Sequence, residues 1–234
     1  MKKFLFLFLA FLIISCNEKQ HDLIVKGNIK DLKKGTIYLK KVNDTVLVTV
    51  DSLVVNGNSQ FELHSDLESP EIFFLYLDKN STEKDRITFF ADKGITEINT
   101  TLKNFVFDAK INGSDQQKTL EEYEAIMFRM NNRNLDIIKE HFDAHKNNDT
   151  VKIRALEKES DNSLKRKYLY TVNFALNNKD SEVAPYLALS EVYNARIHFL
   201  DTINNSLTPK VKNSKYGKEL QSFIDKRKAS GKEN

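Results

Sequence analysis

One cysteine, Cys16, among 234 residues leaves this chain no disulfide within itself, no thiolate metal cage and no redox pair. Seven glycines form neither G-x-G-x-x-G nor a P-loop, so nucleotide binding lacks its phosphate cradle. No serine sits in G-x-S-x-G, and no H-E-x-x-H is present. An excess of one charge is also missing. The formal net charge is +3, and lysines are mixed with acids, as in Lys139-Glu140 and Glu157-Lys158-Glu159. That is the pattern of a solvated face, and it argues against nucleic acid as a partner. Long apolar runs are lacking too. Phe4 to Ile14 is 11 residues, which as a helix reaches roughly 16 Å against a bilayer core of about 30 Å, so no retained transmembrane span is expected.

What is there begins with that run. Met1-Lys2-Lys3 is a basic n-region, Phe4 to Ile14 an apolar h-region, and Ile13-Ile14-Ser15-Cys16 looks like a bacterial lipobox. The motif implies that the Cys16 thiol receives a diacylglycerol, that residues 1–15 are removed, and that the new amino group is acylated. Loss of Lys2 and Lys3 takes the net charge from +3 to +1. Residues 16–22 read as a tether. Seven extended residues reach at most roughly 25 Å, so the folded part is expected close to a membrane it does not cross. After Cys16 there is no run of acids of the kind that directs surface export. The expected location is therefore the cell envelope, lipid-anchored in the outer membrane and facing the periplasm.

Residues 23–113 have strand character. Leu23, Val25, Gly27 and Ile29 alternate, Val46 to Val55 is rich in β-branched residues, and Asn56-Gly57-Asn58 is a hairpin signal. Further strands are expected at Thr36–Leu39, Gln60–Leu63, Ile72–Leu77, Ile87–Ala91, Thr96–Leu102 and Phe105–Ile111. Over residues 114–228 the apolar period becomes helical. Leu120, Tyr123, Met127 and Met130, continued by Ile137, Ile138 and Phe142, predict one long helix. Asn147-Asn148-Asp149 predicts a turn and Thr150 to Asn177 a second helix. Ser181 is expected to cap a third helix carrying Leu189, Val192, Phe199 and Ile203, and Ser214 a last one. Residues 229–234 are a polar tail. The expected class is α+β, an antiparallel β-sandwich or barrel followed by an α-helical domain.

Several segments resemble a known family. Ile24-Val25-Lys26-Gly27-Asn28-Ile29, Gly35-Thr36-Ile37-Tyr38-Leu39, Val50-Asp51-Ser52, Gly57 followed by Phe61, Ala91-Asp92-Lys93-Gly94 and Ile111-Asn112-Gly113-Ser114 are similar to an uncharacterised domain of Bacteroidetes envelope lipoproteins. Ser181-Glu182-Val183-Ala184-Pro185-Tyr186 and Ser214-Lys215-Tyr216-Gly217-Lys218-Glu219-Leu220 extend the likeness. In that family the domain usually precedes a thioredoxin-like domain of the thiol-disulfide interchange type. Here residues 228–234 stand where such a domain would begin, and no C-x-x-C is present, so no redox residue carries over. The resemblance implies a non-catalytic binding or accessory module, with a separate thioredoxin-like envelope protein as its expected partner. The alternative is a surface-exposed ligand-binding or adhesion lipoprotein. No cofactor is expected.

The remaining candidates are sparse. His141 and His145 stand four apart on the predicted helix and are weak metal candidates, since no third ligand is evident and Phe142 occupies the general-base position of a zincin. Asp44-Thr45-Val46, Asp51-Ser52-Leu53, Asp149-Thr150-Val151 and Asp201-Thr202-Ile203 resemble the acceptor of envelope O-glycosylation, which makes Thr45, Ser52, Thr150 and Thr202 candidate sites. Ser52, Ser59 and Ser190 have no motif that makes them nucleophiles. Asp51 with Glu62 is an acid-base pair only in the sense that carboxylates are plentiful. Phe73, Phe74 and Tyr76 suit either core packing or a carbohydrate groove.

Overall fold

The computed structural model describes residues 21–78 and 85–231. Cys16, its lipobox and the tether up to Gln20 lie outside the described residues, as does the end of the polar tail. Among the described residues eight strands come first: β1 Leu23–Lys30, β2 Lys34–Asn43, β3 Val46–Asn56, β4 Gln60–Ser65, β5 Glu71–Leu77, β6 Arg86–Ala91, β7 Gly94–Thr101 and β8 Lys110–Asn112. Six helices follow: α1 Asp115–Lys146, α2 Thr150–Asn177, α3 Val183–Ser190, α4 Ile197–Ser206, α5 Pro209–Lys212 and α6 Lys215–Ala229. Among the described residues, no helix is long and apolar enough to cross a membrane.

The strands form two four-stranded sheets, ordered β4-β1-β7-β8 and β3-β2-β5-β6. They stack as a sandwich and do not close into a barrel. Inward side chains from both sheets make one core, with Leu23, Val25 and Ile98 from the first facing Ile37, Leu39, Phe73, Leu75 and Phe89 from the second. Each large side chain so buried contributes about 1.5–3 kcal/mol. The antiparallel expectation holds for every pair except β1 with β7, which run parallel, Leu23 opposite Gly94 through Lys30 opposite Thr101. A parallel pair needs a crossover, and this one carries the whole second sheet.

The tight hairpin is not at the expected place. Asp44-Thr45 is the tight hairpin, joining β2 to β3 with Asp44 at φ 55. Asn56-Gly57-Asn58 also turns the chain, with Gly57 at φ +91, but it moves it from one sheet to the other. The Gly57 amide donates to the Lys33 carbonyl at 2.8 Å, and Val55 plunges into the core, so the corner is set by burial. Phe105–Ala109 is a turn rather than a strand, held by the Thr100 hydroxyl donating to the Phe105 carbonyl at 2.7 Å.

β5 is apolar on both faces, and the helices explain why. Its inward residues join the sandwich core, while Ile72, Phe74 and Tyr76, with Phe90 of β6, pack against Leu120, Tyr123 and Met127 of α1, Val183 and Leu187 of α3, and Tyr216 of α6. The molecule is thus three layers deep at this point. Phe73, Phe74 and Tyr76 are all buried, so the carbohydrate-groove reading of that strand fails.

Helix boundaries follow local chemistry. Ser114 caps α1 by accepting from the Gln117 amide, Asp149 caps α2 by accepting from Lys152, and Ser214 caps α6 by accepting from Gly217. Asn148 turns the α1–α2 hairpin at φ 54. The single helix expected after Ser181 is two, α3 and α4. Its break lies at Tyr193 to Ala195, whose carbonyls accept from the Arg227 guanidinium at 3.0 and 2.7 Å in place of a helical amide. Ser181 itself lies one residue before the cap position, donating to Gln116 Oε1 and accepting from the Val183 amide at 3.2 Å.

Candidate functional site

A polar cleft of about 610 Å³ runs along the seam between the sandwich and α6. Asp22 comes from just before β1, Lys41 from β2, Asp44 from the hairpin, Asp66 to Ser69 from the β4–β5 link, and Lys215, Lys218 and Glu219 from α6. Glu71 sits at its base, only 4% exposed. Lys41 Nζ donates to Glu71 Oε1 at 2.8 Å, and Lys215 Nζ donates to Glu71 Oε2 and, at 2.7 Å, to the Val42 carbonyl. The Lys215 amide donates to Ser69 Oγ at 3.1 Å. A buried carboxylate is tolerable only when paired and hydrogen-bonded, and here the two pairing cations come from opposite sides of the seam.

Charges round the rim are biased by their neighbours. Lys93, 2.9 Å from Asp22, and then the Leu67 amide hold the Asp22 carboxyl below the usual carboxylate range. Burial pushes the Glu219 carboxyl up, with Glu71 and Asp44 adding to this as like charges and Lys215 opposing it. The cleft presents fixed cations and carboxylates side by side. Ser69 accepts a backbone amide there, and the arrangement can hold a charged or hydrogen-bonding ligand.

The residues singled out from sequence fall elsewhere. Thr45 is exposed at the β2–β3 hairpin tip, Ser52 lies exposed on β3, Thr150 opens α2, and Thr202 lies on α4 with its hydroxyl donating to the His198 carbonyl at 2.6 Å. Ser59 Oγ accepts from Asn28 at 2.8 Å. Asp51 and Glu62 do meet, at His64. Asp51 Oδ2 accepts the His64 amide at 2.8 Å, while Glu62 Oε1 stands 3.2 Å from His64 Nε2. With its other oxygen taking the Ser52 amide at 2.7 Å, Asp51 occupies two strand-edge donors, a structural duty. His141 and His145 are brought together, their rings 4.6 Å apart. Glu71 and Lys215 were not foreseen, since they are 144 residues apart. The one available signal was a glutamate opening an otherwise apolar strand.

Fold and cleft together define an α+β protein in which a two-sheet sandwich is roofed by helices and opens a charged seam. Residues 23–120, all eight strands and the first turn of α1, match the model of a family described as a domain of unknown function, DUF4369. No curated protein matches the chain.

Proposed function

We propose that the protein is a membrane-anchored envelope lipoprotein, lipidated at Cys16, that works as a non-catalytic binding or accessory module for a separate thioredoxin-like envelope protein. The observation that carries the binding role is the preorganised cleft. Its walls come from both halves of the molecule and are locked by the Lys41–Glu71–Lys215 bridge, so it keeps its shape without a ligand. Asp22, the last tether residue, lines it. With Cys16 only six residues back, an anchor there keeps the cleft within roughly 20 Å of the bilayer surface, which favours partners that are themselves at the membrane.

Two measurements test this. Metabolic labelling with an alkyne fatty acid should mark the wild-type protein and not Cys16→Ala, and an equally labelled variant would end the anchored reading. Affinity capture from native membranes should recover a thioredoxin-like protein with the wild type. Reversing charge at the cleft rim with Lys218→Glu and Glu68→Lys should abolish that recovery. Capture that survives the reversal, or that never contains such a protein, counts against the accessory role.

A further inference from the structure

Most edges of the two sheets are closed by the chain itself. On β6 the Phe90 amide donates to Gln117 Oε1 at 2.7 Å and the Phe90 carbonyl accepts from Ser114 Oγ at 3.1 Å, so the start of α1 covers that edge. On β4 and the second half of β3 the Asp51 carboxylate takes the His64 and Ser52 amides, at 2.8 and 2.7 Å. β8 is only three residues long. The first half of β3 has none of these devices. Val46-Leu47-Val48-Thr49-Val50 carries no charge and no proline, and it stands at the end of its sheet's strand order. Val46, Leu47 and Thr49 are exposed, Val46 by 61%. An edge of this kind is a template for another strand.

Register decides which backbone groups face outward. Asn43 opposite Val46 closes the two-residue turn at Asp44-Thr45, so Val46 and Val48 direct their amides and carbonyls to β2. Those of Leu47 and Thr49 therefore point away from the sheet, and no hydrogen bond among the described residues engages them. The register shift opposite Leu39 and Lys40 makes Val50 a bulge, which ends the regular stretch. That stretch reads almost the same in both directions, which is what a strand needs to pair antiparallel with itself. We propose that residues 46–50 pair with the same segment of a second copy of this chain, about a twofold axis through Val48. Leu47 then stands opposite Thr49 of the other copy and exchanges backbone hydrogen bonds with it, while Val48 meets its own counterpart as the intervening pair. The flanking charges permit this register, because Asp44 falls opposite Ser52 and Asp51 opposite Thr45, so that no like charges face each other. Both chains use the same patch, and two copies of the four-stranded sheet β3-β2-β5-β6 become one continuous sheet.

Cysteine substitution tests the axis. In the full chain with Cys16→Ala, Val48→Cys should give a disulfide-linked dimer under mild oxidation, because residue 48 meets its own copy at about 4.5 Å between Cα atoms. Val46→Cys is two positions off the axis and so about 13 Å from its copy. It should stay unlinked although it is the more exposed of the two. In sedimentation the Cys16→Ala chain should form a dimer, and Leu47→Lys and Thr49→Pro should each weaken it at least tenfold. Proline is tolerated at Thr49 because that amide faces away from β2, and circular dichroism should show that both variants keep the fold. No link at position 48 overturns the pairing, and so does an equal link at position 46 or a dimer that survives both variants. An open series of larger species also overturns it, since a twofold contact closes on itself.

Discussion

At the scale of single residues, the seam depends on Glu71. Its removal in Glu71→Ala leaves two lysines facing each other over a cavity, and breaking a buried pair of this kind costs about 3–5 kcal/mol. Urea unfolding should show that loss, and a change below about 1 kcal/mol would mean the bridge is solvated. Tyr216 does similar work, since its hydroxyl oxygen accepts the buried Ile72 amide at 3.0 Å. Burial also raises the ionisation of Tyr123, Tyr186 and Tyr216, that of Tyr123 to about 12, with its hydrogen bond to Thr171 opposing. An unfolded tyrosine releases its proton near 10. From pH 10 to 12 the unfolded chain therefore binds fewer protons than the folded one. Stability is full below pH 10 and should fall by about 1.4 kcal/mol per pH unit through Tyr123, with Tyr186 and Tyr216 pulling in the same direction. Urea midpoints at pH 9, 10 and 11 should decline, and the decline should be shallower in Tyr123→Phe.

At the scale of elements, α6 is seated by an absence. A Cβ at Gly217 would stand 2.0 Å from the Val211 carbonyl oxygen and 2.7 Å from that of Lys212. Alanine normally favours a helix over glycine by about 1 kcal/mol, but here the clash is with backbone. Gly217→Ala should destabilise by about 1–3 kcal/mol in thermal unfolding, and a gain in stability would show that the α5–α6 corner can yield. How much of this could be read in advance varies by element. The paired helices 115–146 and 150–177 were legible because caps and a turn bounded an apolar period. The far stripe was misjudged: Ile138 and Phe142 are 64% and 73% exposed, because α2 covers one face of α1 and these residues lie about 100° round from it. The α3–α4 break had no glycine or proline to announce it, since Arg227, more than thirty residues on, makes it. The His141–His145 spacing was visible in the sequence, whereas the Lys41–Glu71–Lys215 bridge was not, because only the docking of α6 against the sandwich brings its members together.

At the scale of the whole molecule, the helices complete the sandwich rather than hang from it. Residues 21–113 expressed alone would expose Ile72, Phe74, Tyr76 and Phe90 on one face, a contiguous apolar surface of the kind that drives association. Such a fragment should bind a hydrophobic dye and run as an aggregate on gel filtration. A stable monomer with an unchanged circular dichroism spectrum in the strand region would show that the sandwich stands without its roof. The parallel pairing of β1 with β7 adds a demand in time. Among the described residues β1 is the first strand to appear, yet its neighbour at Gly94 follows some 70 residues later, about 4–14 s at ordinary rates of synthesis. Throughout that delay Leu23, Val25 and Ile29 have no completed sheet to enter. Assembly of this protein is therefore a matter of waiting as well as packing, and a holding chaperone would find its work at β1.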